Sequence, residues 1–79
     1  MTTATVKAKF NEAFVEMNDL KKEIAFFEKE KAEAEKARDD DRTFDAILEL
    51  KALYQDAALA ELSMMHFADI LKLLEEVAA

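Results

Sequence analysis

Glycine, proline and cysteine are all missing from this chain of 79 residues. Each absence excludes something. Without glycine there is no phosphate-cradling loop and no residue that takes up left-handed backbone without steric penalty. Without glycine or proline the tight turns of β-hairpins are poorly served. Without cysteine there is no disulfide staple and no thiolate metal site, which fits a reducing compartment. Long apolar runs are lacking as well. No stretch reaches the roughly 18 uninterrupted apolar residues of a membrane span, and Met1 to Phe10 carries no apolar run of the signal-peptide kind. A soluble, cytoplasmic protein with no membrane contact is the expectation.

What is there is helix-forming. Ala, Leu, Glu and Lys dominate, the residues that lose least on entering a helix, so the fold class expected is all-α. The length suits a single domain over residues 1–79. The formal net charge of −7 is unevenly placed. From Met1 to Arg38 eight basic side chains balance eight acidic ones, whereas from Asp39 onward three basic (Arg42, Lys51, Lys72) face ten acidic. Clustered Lys and Arg, which displace counterions from phosphate backbones, are not present, so direct nucleic-acid binding is not expected. An acidic surface instead suits basic partner surfaces.

Hydrophobic periodicity lays out two helices. Steps of four and three from Val6 pass through Phe10, Ala13, Met17, Leu20, Ile24 and Phe27, all apolar, and on to Lys31 and Ala34. This period, close to 3.5, marks helices packed side by side. A first helix over about residues 3–38 follows, with Thr2 or Thr3 as N-cap. From Glu28 to Arg38 acids and bases alternate with little but Ala between them, a solvated stretch held by propensity and charge pairs. Asp39, Asp40 and Asp41 oppose the dipole of a helix that ends there but favour and cap one that begins there. The turn is therefore expected at about 39–43, with one unbroken helix of the whole chain as the alternative. A second helix over about 43–77 runs through Ala46, Leu50, Leu53, Ala57, Ala60, Met64, Phe67, Leu71, Leu74 and Ala78, again all apolar. Two matched seams joined by a short connection predict an antiparallel two-helix hairpin.

One neighbour does not cover this second helix. Between Leu59 and Val77 its apolar arc spans roughly 200°, about twice the stripe of an ordinary surface helix. Leu59, Leu62, His66, Phe67, Ile70, Leu73, Leu74 and Val77 are accordingly the expected interface with a second copy. Before Ala57 the apolar flank lies on the other side of the seam, leaving Phe44, Ile47 and Tyr54 without intrachain cover. On the first helix, Val15 and Phe26 stand off the seam, eleven residues and about three turns apart. These five residues are the candidate surface for a different protein. Domains this small generally need staples, metal or oligomerisation, and here oligomerisation is what remains: a dimer closing into a four-helix bundle.

Residues able to carry chemistry are few. His66 is the lone histidine, with Asp69 one turn on, and an interface histidine is favoured over a ligand or proton switch. Ser63 stands three residues before it, yet no strained turn or oxyanion hole accompanies the pair. Three aspartates without glycine or a twelfth-position glutamate do not make a calcium loop. Met64, Met65 and Phe67 form a soft cluster, more in keeping with packing than with promiscuous binding. No catalytic residue, metal, cofactor or small-molecule substrate is expected.

In build, being small, acidic, helical and free of cysteine, the chain resembles phage or mobile-element proteins that bind and block a host protein. The resemblance implies a host-directed inhibitor or adaptor and assigns no residue. The expected function is thus a non-enzymatic protein-binding module. A structural subunit of a larger helical assembly and an acidic mimic of DNA are the alternatives.

Overall fold

The computed structural model describes Thr2–Ala78 and contains, among those residues, two helices and no strands. Helix α1 spans Thr3–Lys36 and α2 spans Asp40–Ala78. They pack against one another as a two-helix hairpin with backbone extents of 60 × 14 × 14 Å.

The start of α1 and both helix ends at the turn are closed by local hydrogen bonds. Thr2, in extended backbone, caps α1 by accepting from the Thr5 N–H at 3.2 Å. At the other end Arg38 takes φ 55°, a left-handed conformation usually left to glycine. That residue lets the Arg38 N–H donate to the Glu35 carbonyl at 3.1 Å and the Asp39 N–H to the Ala34 carbonyl at 2.9 Å. These two bonds are the paired closure of a Schellman motif. Asp39 then caps α2: its Oδ1 accepts from the Arg42 N–H at 3.2 Å. Asp40 and Asp41 fill the first turn of α2, where the positive end of the helix dipole favours acids.

The turn therefore occupies residues 37–39 rather than 39–43, α1 ends at Lys36 rather than at about 38, and α2 starts at Asp40 rather than at about 43. The reason is competition between caps. Asp39 captures an orphan amide from the position before the helix, so Thr43 is already inside it, its Oγ1 donating to the Asp39 carbonyl at 2.9 Å. Arg38 meanwhile supplies the left-handed residue that the missing glycine would have provided.

The core is a single file. Its buried members are Val6, Ala13 and Ala34 from α1 and Ala46, Leu50, Leu53 and Ala60 from α2. Four of the seven are alanine, which lets the helix axes approach but removes little apolar surface from water. Phe10, Met17, Leu20, Ile24 and Phe27 of α1, and Met64, Phe67, Ile70, Leu71 and Leu74 of α2, are half-buried along the same seam. Both 3.5-period stripes thus face each other, and each covers only one side of its neighbour.

The consequence is surface. A compact monomer of 9.0 kDa exposes about 4,900 Å², whereas this chain exposes 5995 Å². Its radius of gyration is 17.7 Å, against about 12 Å for a compact chain of this length.

The turn chemistry has a direct test. Arg38→Gly should stabilise the fold by roughly 0.5–1 kcal/mol, since the left-handed penalty of about 1–2 kcal/mol exceeds the extra unfolded-state entropy of glycine. Asp39→Ala should destabilise it by about 1 kcal/mol through loss of the cap. Chemical denaturation at one fixed protein concentration measures both; equal stability of all three proteins would mean that the turn is not held as described.

Candidate interaction surfaces

Among the described residues twelve large hydrophobic side chains are exposed, and all but Phe14 and Met65 fall into three groups. At the turn end, Phe44 (60% exposed), Ile47, Leu48 and Tyr54 (49%) stand on α2. Here α1 offers only Ala32, charged side chains and the already buried Ala34, too little to cover a second row. An open groove of about 480 Å³ runs past Lys31, Ile47, Leu50, Lys51, Tyr54 and Gln55. The phenol of Tyr54 is tied back to α1, its hydroxyl donating to Glu28 Oε1 at 2.6 Å. That bond fixes the ring while leaving half of it in solvent, an arrangement suited to an aromatic anchor at an interface.

A second tie crosses on Arg42. Its Nε and Nη2 donate to Glu30 Oε1 at 3.0 and 2.6 Å. The carboxylate raises the guanidinium pKa, through the hydrogen bond first and then through charge. Lys31 and Glu35, at 3.7 Å, add a pair within α1. All three contacts lie in the half of the hairpin nearest the turn.

On the outer face of α1, Val15 and Phe26 are both exposed, as their displacement from the seam implied. Phe26 is braced by an edge-on contact with Phe27, ring centroids 5.1 Å apart. Beside Val15 runs a shallow groove that also takes in Ala8, Asn11 and Leu20 and is rimmed by Glu12, Glu16, Asp19 and Glu23. This acidic rim was not singled out from the sequence, although its steps of four, three and four were there to be read.

At the open end of the hairpin Leu59, Leu62, Leu73 and Val77 are exposed, Val77 by 85%, and His66 with them. Phe67, Ile70 and Leu74 behave differently: they are half-buried, sharing themselves between the α1 seam and solvent. His66 lies against Phe67, centroids 5.5 Å apart. Ser63 and Asp69 beside it are exposed, and no group of three or more His, Cys, Asp or Glu among the described residues is arranged to hold a metal ion. No buried polar side-chain atom among the described residues lacks a partner. What the surface offers is apolar area.

Tyr54 is the sole tyrosine, so its ionisation can be followed by absorbance without interference. Its pKa lies above the ordinary tyrosine value, because the hydroxyl donates to Glu28, because of partial desolvation, and because the carboxylate repels a phenolate. A raised folded-state value means the contact stabilises the protein fully below the unfolded pKa, and that this is lost as pH rises through the folded one. Spectroscopic titration should thus show a midpoint above that of a free tyrosine, and Glu28→Gln should bring it down; coincident curves for the two proteins would dissolve the link.

Among the described residues, no helix is long and apolar enough to cross a membrane. No family model, curated protein or solved structure matches the chain.

Proposed function

We propose that this protein is a non-enzymatic interaction module, a helical hairpin that pairs with a second copy of itself and binds another protein as an inhibitor or adaptor. The observation that carries the reading is a set of exposed large hydrophobic side chains on a molecule with surface to spare. Its total surface is about 1,100 Å² more than that of a compact monomer of this mass, and ten of the twelve large hydrophobics exposed among the described residues stand in three separate groups. A standard protein–protein interface takes about 800 Å² from each partner, so the surplus exceeds what one such interface needs.

The energetics support association. The exposed hydrophobics are mostly half to two-thirds exposed, so fully covering each one gains about 1–2 kcal/mol. Covering about ten of them gives roughly 10–20 kcal/mol, against association costs of about 4–15 kcal/mol. The open-end group, Leu59, Leu62, His66, Leu73 and Val77 with the half-buried Phe67, Ile70 and Leu74, is the surface for the second copy. The turn-end group of Phe44, Ile47 and Tyr54, together with Val15 and Phe26 on α1, is the surface for the other protein. The build shared with host-directed phage and mobile-element proteins supports an inhibitor or adaptor role.

A structural subunit of a larger helical assembly is the second reading, favoured by the same division of the apolar surface between two ends of the hairpin. Light scattering at several concentrations separates the two. A sharp species of twice 9.0 kDa fits the module, and a mass that keeps growing with concentration fits the assembly. A well-folded monomer at high concentration would remove both. Leu73→Glu should shift the dimer to monomer. Once a partner is captured from the native host, Tyr54→Ala and Phe26→Ala should each weaken its binding by roughly ten- to thirtyfold, the range of an interface anchor, with helicity by circular dichroism unchanged. Undiminished binding by both variants would take these residues out of the interface.

A further inference from the structure

Along α2 one file of positions advances by alternating steps of four and three from Asp45 to Val77, and it changes character midway. In the half nearest the turn it reads Asp45, Glu49, Ala52 and Asp56; beyond Ala57 it reads Leu59, Ser63, His66, Ile70, Leu73 and Val77. Every member is exposed except Ile70, which is half-buried. It is therefore a second heptad seam lying beside the one that α1 occupies, acidic over its first half and mainly apolar over its second. The acids Asp45, Glu49 and Asp56 form no ion pair among the described residues.

This pattern restricts how two copies can meet. Laid side by side over their full length with α2 parallel to α2, they would set Asp45, Glu49 and Asp56 of one copy against the same three residues of the other. Like charges placed opposite one another in a seam are destabilising. Turned end for end about Ala68, the two copies overlap only from about Leu59 to Val77, and all three acids stay outside the contact. The register then closes on itself. Leu59 meets Val77, Ser63 meets Leu73, and His66 meets Ile70, each pair occurring twice around the two-fold axis. A seam stepping four, three, four, three, four is unchanged by reversal, as an isologous interface requires. The small Ser63 faces the large Leu73, which suits interdigitated packing. His66 is set against an aliphatic side chain rather than against its own copy.

We infer that the protein dimerises tail to tail, through an antiparallel α2–α2 contact centred on Ala68, and that the two turn ends point away from each other. This rests on the homodimer reading above and adds the surface, the orientation and the register. The overlap is about 27 Å at 1.5 Å per residue. Two hairpins of 60 Å sharing that length make a particle about 90 Å long, half as long again as hairpins aligned side by side.

The cysteine-free sequence makes the register measurable. A chain carrying Leu59→Cys, mixed with a chain carrying Val77→Cys and mildly oxidised, should give the mixed disulfide as the main product. Each variant alone should remain largely uncross-linked, and circular dichroism should match the parent. Small-angle scattering on the unsubstituted protein, which needs no variant to fold, should give a maximum dimension near 90 Å rather than 60 Å. A dimer in which Leu59→Cys cross-links to itself, or whose maximum dimension is near 60 Å, overturns the tail-to-tail arrangement and leaves the homodimer standing. A monomer by light scattering overturns both.

Discussion

Two helices lying side by side can bury only one face of each, and everything distinctive about this protein follows from that limit. A third layer, a disulfide or a metal would relieve it in other small domains. Here the seam buries, among the described residues, seven side chains, four of them alanine, and the large hydrophobics beside the seam remain in water. The molecule spends its apolar side chains on breadth rather than on a closed core. Its elongated shape and its excess surface are the same fact seen twice.

Within that limit the two ends of the hairpin are built differently. Near the turn the helices approach on Ala34 and Ala46 and are tied by Arg42 to Glu30 and Tyr54 to Glu28. α1 is nearly all charge and alanine there, so α2 alone carries the exposed apolar group. Toward the open end the polar ties disappear and large side chains share the seam: Phe10, Met17 and Leu20 across from a helix holding Met64, Phe67 and Leu71. The change of flank between Ala57 and Ala60 separates the two regimes, which is why one continuous helix presents one apolar surface near the turn and another at the tail.

Much of this was legible in the residues. The steps of four and three picked out both seams, because a helix packed against one neighbour leaves a period near 3.5, and only Lys31 interrupts it. The exposure of Val15, Phe26, Phe44, Ile47 and Tyr54 followed from their angular displacement from those seams. The turn was less legible. Three consecutive aspartates and a threonine offer four competing caps, and spacing alone does not decide among them; that Asp39 wins depends on Arg38 accepting left-handed backbone, which nothing in its side chain announces. The cross-helix partners of Arg42 and Tyr54 were also hidden, since they depend on the register of one helix against the other, and that register moves with the turn. The half-burial of Phe67, Ile70 and Leu74 shows the same limit. A 200° arc says that two neighbours are wanted without saying which residues each will take.

Separation of the two apolar surfaces has a consequence for binding. If the tail surface is consumed by self-association, the turn-end groove past Ile47 and Tyr54 is displayed twice, once at each extremity of the dimer. Two sites held on a stiff helical frame gain avidity only when the target presents two complementary sites at a matching distance, because a rigid connection that does not fit allows no second contact at all. A monomeric target with one site would therefore be held no more tightly by the dimer than by a single hairpin. In the proposed tail-to-tail dimer a target that is itself dimeric or repetitive would be the one to gain, and for such a target breaking the tail contact at Leu73 would weaken capture without touching any residue of the groove.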